Sequence, residues 1–145
     1  MQIKIEEDPA VEDVQVVVRC RQADSKVQRL LGLLRAMDDK LVGEQGGQAF
    51  LLEPSRVLYI DTVDRRTFFY TGEGVYETPL RLYELEERLA GRDFFRASKS
   101  TIVNFEAIRS LRPDLGGRLR LTMPNGEAVY VSRQYAPALK KRLGM

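Results

Sequence analysis

Apolar positions along the chain come in short runs whose spacing switches between two and about four. Asp13–Gln22 is rich in β-branched residues (Val14, Val16, Val17, Val18) and predicts a strand. Ser25 followed by Gln28 matches a capping box, so a helix should start there. Val27, Leu30, Leu31, Leu34 and Met37 then share one helical face, widened by Leu33. Gly32 in its middle costs up to ~1 kcal/mol unless something packs closely against it. Two uses fit that face: lying on a sheet, or pairing with a second copy.

Gly43–Gly47 (GEQGG) reads as a turn or short linker. It sets the expected boundary between a strand-helix extension, 1–45, and the main domain, 46–145. Beyond it the expected strands are short and close together: Ala49–Leu52, Val57–Thr62, Thr67–Thr71 and Val75–Thr78. A helix follows, with Thr78 as cap, Pro79 at its first position, Leu82, Leu85 and Leu89 along one face, and Gly91 as its stop. Further strands are expected at Phe94–Arg96, Thr101–Val103, Ile108–Leu111, Arg118–Met123 and Ala128–Ser132. Asn125-Gly126 joins the last two as a two-residue hairpin. A final short helix, Pro137–Leu143, carries Lys140, Lys141 and Arg142 at the end where cations suit the helix dipole. The fold class is mainly β (α+β).

Composition narrows the function. The chain has 145 residues, 30% charged and 43% hydrophobic, which suits a soluble folded domain with a real core. It has no apolar run long enough to span a bilayer and no basic-then-apolar leader, so a cytoplasmic chain is expected. Cys20, the single cysteine, cannot form an internal disulfide, and its apolar neighbours predict a buried, inert thiol. The absence of histidine excludes Ser-His-Asp triads, Cys-His dyads and His/Cys zinc sites. Neither a phosphate-cradling GxxxxGK[ST] nor a GxGxxG occurs. Glu84, Glu86 and Glu87 lie on the polar side of a helix, and Asp61 and Asp64 at a strand end and a turn. No pair of acids is set up for catalysis, and neither an enzyme, a cofactor, a metal nor a small-molecule substrate is expected.

Charge is unevenly spread. Residues 1–55 carry 7 basic against 10 acidic side chains, whereas residues 92–145 carry 11 against 4, net +7. A basic C-terminal third is the footprint of a phosphate-binding face. Its cations also gather at strand ends: Arg65-Arg66 in one tight loop, Arg96, Ser98, Lys99 and Ser100 in another, Arg133-Gln134 after the last strand. Such loops can enter a groove, with Arg or Lys reading guanine edges and hydroxyls meeting phosphates.

The run Phe94-Phe95-Arg96-Ala97-Ser98-Lys99-Ser100-Thr101-Ile102-Val103-Asn104, followed by Ile108, resembles the central signature of LytTR-type DNA-binding domains. Asn125-Gly126 and then Val129-Tyr130-Val131-Ser132-Arg133-Gln134-Tyr135 resemble their closing signature. Val57–Ile60 and the Leu82–Leu89 helix stand in the family's order, and the resemblance covers about residues 46–143. It implies an elongated arrangement of about ten short, mostly antiparallel strands with a small helix. It also implies a response-regulator-like transcription factor whose loops, not a recognition helix, enter successive major grooves. Matched by motif, the base-contacting positions are Arg65, Lys99 and Arg133. Arg66, Arg96, Ser98, Ser100 and Gln134 fall at or near the DNA backbone, and Asn104 caps a turn. Some members have His and Asn where this chain has Arg65 and Lys99, so base preference does not transfer. Many carry a phospho-receiver domain, for which 1–45 is too short. A stand-alone member is expected, binding duplex DNA as a homodimer. A small membrane-protein regulator is a further partner that some such members have. The alternative is a non-enzymatic RNA- or ligand-binding module, for which Phe68, Phe69, Tyr70, Phe94 and Phe95 would have to stack on bases.

Overall fold

The computed structural model describes the backbone of residues 1–145 and every side chain outside 36–38. It divides into two compact units, Met1–Arg35 and Ala36–Met145.

In the first unit the only regular element is the start of helix α1 (Ser25–Asp39). Asp24, not Ser25, caps it: the Val27 amide donates to Asp24 Oδ1 at 3.1 Å, which makes Ser25 the first helical residue. Val27, Leu30, Leu31 and Leu34 are half-buried, as one helical face should be, while Met37 lies outside the described side chains. The strand expected over Asp13–Gln22 does not form. β-branched residues favour a pleated, half-buried surface, but a strand exists only with a neighbour to bond. Val14, Val16 and Val17 are exposed instead. Cys20 is exposed too, contrary to the buried thiol expected from its neighbours.

The second unit holds ten strands. GEQGG is not a linker but most of a hairpin: β1 (Leu41–Gln45) turns through Gly46 and Gly47, both at positive φ, into β2 (Gln48–Leu52). Position 43, inside β1, takes glycine because a Cβ there would stand 2.6 Å from Tyr76 Cβ. Next come β3 (Val57–Val63), β4 (Arg66–Thr71) and β5 (Val75–Thr78). Helix α2 (Leu82–Arg88) starts later than its sequence suggested. The Thr78 hydroxyl accepts from the Leu80 amide in a turn, and the Glu84 carboxylate caps the Arg81 amide. Then follow β6 (Phe94–Arg96), β7 (Thr101–Asn104), β8 (Ser110–Pro113), β9 (Leu119–Thr122), β10 (Ala128–Val131) and α3 (Ala136–Arg142).

Strands β2-β1-β5-β4-β3-β7-β6 form a seven-stranded sheet and β10-β9-β8 a three-stranded one, with every pairing antiparallel. The large sheet is covered on both faces, and β3 shows how. A bulge lets its register skip from Val57 to Tyr59 against β4. Val57 and Ile60 therefore join one core, with Phe69, Ile102, Leu82 and Leu85 of α2. Leu58 and Tyr59 join the other, with Val103, Leu119, Leu121, Met123, Val131 and Leu139 of α3. Four consecutive buried residues in one strand are the mark of a sheet buried on both sides.

Candidate nucleic-acid interface

Three loops lie at strand ends, and backbone hydrogen bonds tie the middle one to the other two. The middle loop joins β6 to β7. It is closed by the Ala97 and Ser98 amides, which both donate to the Thr101 carbonyl. On one side the Thr62 amide, three residues before Arg65, donates to the Ser100 carbonyl at 2.9 Å. On the other the Ser132 amide, next to Arg133, donates to the Ala97 carbonyl at 2.8 Å.

In the first loop Arg65 is exposed on a two-residue turn between Val63 and Arg66, which pair with each other. Asp64 and Arg65 both hold positive φ, 51° and 66°, the signature of a type I′ turn. Arg66 is differently placed. Its guanidinium forms a bidentate pair with Glu77 on β5, Nε donating to Oε1 and Nη2 to Oε2 at 2.9 Å each, and lies 5.4 Å from the Phe68 ring centroid.

In the middle loop Lys99 and Ser100 are exposed. The Ser98 hydroxyl accepts from the Ser100 amide at 3.2 Å. Arg96 faces inward. Its Nε donates to the Ser98 carbonyl at 2.7 Å and its Nη2 to the Lys99 carbonyl at 2.5 Å, while its Nη1 pairs with Glu86 of α2. Arg96 thus shapes the backbone on which Lys99 stands, and α2 orients Arg96. A phosphate contact from Arg66 or Arg96 would have to compete with a carboxylate already in place.

In the third loop Arg133 and Gln134 are exposed. The Arg133 stem lies against Gly117, where an added Cβ would stand 3.0 Å from Arg133 Cγ. Asn104 does what its position in the sequence suggested. Its Oδ1 accepts from the Glu106 amide, capping the turn, and its Nδ2 donates to the Val57 carbonyl across the core.

Beside the middle loop an open cleft separates Tyr59, Asp61 and Tyr70 from Arg118, Glu127 and Tyr130, with Ser98, Ser100 and Ser132 on its wall. The Tyr59 and Tyr70 rings stack on each other at 4.5 Å and 13°. Burial pushes both hydroxyls above the usual tyrosine value, so they stay neutral. Sequence reasoning missed Arg118, because nothing local shows which way a residue near a strand start will face.

Among the described residues no three potential metal ligands converge, and no helix is long and apolar enough to cross a membrane.

The LytTr DNA-binding domain model matches residues 47–144. Proteins of Staphylococcus aureus strains NCTC 8325 and COL, each named an uncharacterized HTH-type transcriptional regulator, are 28% identical over 130 residues, 88% of either chain. A solved structure, the LytTr DNA-binding domain of a Bacillus cereus protein described as a methyl-accepting/DNA response regulator, superposes with a TM-score of 0.70 at 30% identity. That match covers 74% of this chain and 98% of the other.

Proposed function

The chain belongs to the LytTr DNA-binding domain family, and on that premise we propose that this DNA-binding regulator reads duplex DNA with three strand-end loops in the major groove. Arg65, Lys99 and Arg133 contact base edges, and Ser98, Ser100 and Gln134 the adjoining backbone. The observation that carries the reading is the pair of hydrogen bonds joining the middle loop to its neighbours, Thr62 to Ser100 and Ser132 to Ala97. They set the three exposed cations on linked loops, so one docking event can engage all three.

The helices favour this reading over a recognition helix. Helix α2 presents Glu84, Glu86 and Glu87, which phosphates would repel. In α3, Leu139 is buried and Arg142 is paired with Asp93 over the Phe105 ring. Base stacking on a single strand is also disfavoured, because Tyr59 and Tyr70 cover each other and Phe69 is buried.

Homodimerisation through 1–45 is the partner reading we adopt. Its support is the exposed apolar surface of Ile3, Ile5, Val14, Val16 and Val17. A membrane-protein regulator is the other outcome of a sizing measurement made with and without candidate partners. Work on duplex DNA calls for residence in the cytoplasm.

Selection from a random-duplex pool at physiological salt tests the proposal. An enriched motif with guanine opposite the arginines is expected, since Arg and Lys favour guanine O6 and N7. Lys99→Ala and Arg133→Ala should each cost about 1–3 kcal/mol on that motif and little on random duplex. Equal losses on both would assign these residues to phosphates, and no enrichment would remove the sequence-specific reading.

A further inference from the structure

The outer face of the three-stranded sheet carries a feature that none of the three loops uses. Alternation along its strands turns Leu111, Leu121 and Val129 toward the core and leaves Arg112, Arg120 and Tyr130 on the opposite face. The register sets Arg120 directly between the other two, opposite Arg112 on one side and Tyr130 on the other. Like charges directly opposite each other destabilise a strand pair. No ion pair relieves this one. Among the described residues neither arginine has an ion-pair partner, and Arg120 Nε is buried with no hydrogen-bond acceptor. Asp114, which feels the charge of Arg112, is bonded to Arg118 at 2.8 Å. Arg118 in turn lies 4.8 Å from the Tyr130 ring. A pair of guanidinium groups with no ion-pair partner among the described residues, offset only by the more distant charge of Asp114, calls for an anion from outside.

Its position says which anion. Arg118 follows Gly117, on which the stem of Arg133 rests, so the row starts where the third loop ends. Arg118 and Tyr130 also border the same cleft as Ser98, Ser100 and Ser132. We propose that Arg112 and Arg120, flanked by Arg118 and Tyr130, form a phosphate-binding row that carries the DNA interface from Arg133 across the outer face of the three-stranded sheet. This inference rests on the DNA-binding reading and deepens it. The row supplies sequence-independent grip and extends the length of duplex covered, while the loops supply discrimination. It does not depend on which bases the loops prefer.

The test is the salt dependence of duplex binding by the full chain, measured on the selected motif and on random duplex. Each phosphate contact contributes about 0.9 to the slope of log K against log salt. Replacing both arginines (Arg112→Gln with Arg120→Gln) should make the slope shallower by about 2 and weaken both duplexes by the same factor. The lysine pair (Arg112→Lys with Arg120→Lys) should keep the wild-type slope, because charge rather than guanidinium shape is what the phosphates meet. Arg112 is exposed, so Arg112→Gln alone leaves the sheet intact and should remove about 1 from the slope. A wild-type slope in the glutamine pair would overturn the proposal and leave the face to an acidic protein. A slope lost equally in the lysine pair would also overturn it, since the arginines would then be acting on the sheet. Failure of the unaltered chain to bind any duplex would instead remove the reading on which the row rests.

Discussion

Asp64 and Arg65 show what a single turn costs and why it is kept. A residue other than glycine in the left-handed region is strained, and a type I′ turn needs that conformation twice, which is why Asn-Gly is its favoured pair. Replacing the pair (Asp64→Asn with Arg65→Gly) should raise stability by about 1 kcal/mol, a few degrees in thermal melting, while lowering affinity for the selected duplex. A variant that melts higher and binds as before would show that Arg65 touches no base. At this scale the sequence was legible in identity and not in orientation. It marked Arg66 and Arg96 as cations beside loops. Their partners, Glu77 and Glu86, lie eleven and ten residues away on other elements, and only the fold brings them together. Cys20 was misjudged for the same reason, because its apolar neighbours imply burial only if something covers them.

Elements were legible where the signal is local. Val75–Thr78 and Phe94–Arg96 begin and end where alternation and turn residues put them. Asn125-Gly126 does lie in the turn from β9 to β10, but not as the two-residue hairpin expected: the Gly126 amide donates to the Met123 carbonyl, so Pro124 and Asn125 are the central pair and Gly126, at positive φ, follows them. Errors came where pairing decides the outcome. Residues 13–22 have the composition of a strand without a neighbour to bond. GEQGG reads as a turn or short linker; the turn forms at Gly46-Gly47, but Gly43, Glu44 and Gln45 belong to a strand and pair with Phe50, Ala49 and Gln48. The link from α2 to the middle loop was invisible for the same reason, and it yields a prediction. Glu86→Gln should shift melting only slightly, since a half-exposed ion pair contributes about 0–1 kcal/mol. It should nevertheless narrow the gap between motif and random duplex, because Arg96 loses the carboxylate that aims it at the Ser98 and Lys99 carbonyls. An unchanged gap, measured by competition binding, would show that Arg96 needs no help from α2.

The unit Ala36–Met145 is two cores built on opposite faces of one sheet, and the response to pH follows from what the chain lacks and what it buries. With no histidine, the chain lacks the side chain whose ordinary value places a charge change between about pH 5 and 8. Tyr59 and Tyr70 are held neutral by burial, so their folded values lie above those of the unfolded chain. Their contribution is complete below the unfolded value of about 10 and is lost as pH rises through the folded values. The urea midpoint should therefore be flat from about pH 6 to 9 and fall above about pH 10, and Tyr59→Phe with Tyr70→Phe should soften that fall. A midpoint that drops between pH 6 and 7 would require some other titrating group. The general architecture was readable because the central signature sits on β6 and β7, which feed both cores, and the closing one on β10, which feeds the second. The charge layout on the small sheet was not, since it depends on register between β8 and β9.

If Arg133 reads a base as proposed, Gly117 is a position from which recognition can be retuned without touching a reader. Any side chain at that position must both leave its left-handed conformation strained and push on the stem of Arg133. A lineage could then move where the guanidinium lands, and with it any base preference Arg133 confers, by mutating its neighbour instead. Related regulators with identical readers could then answer to different promoters.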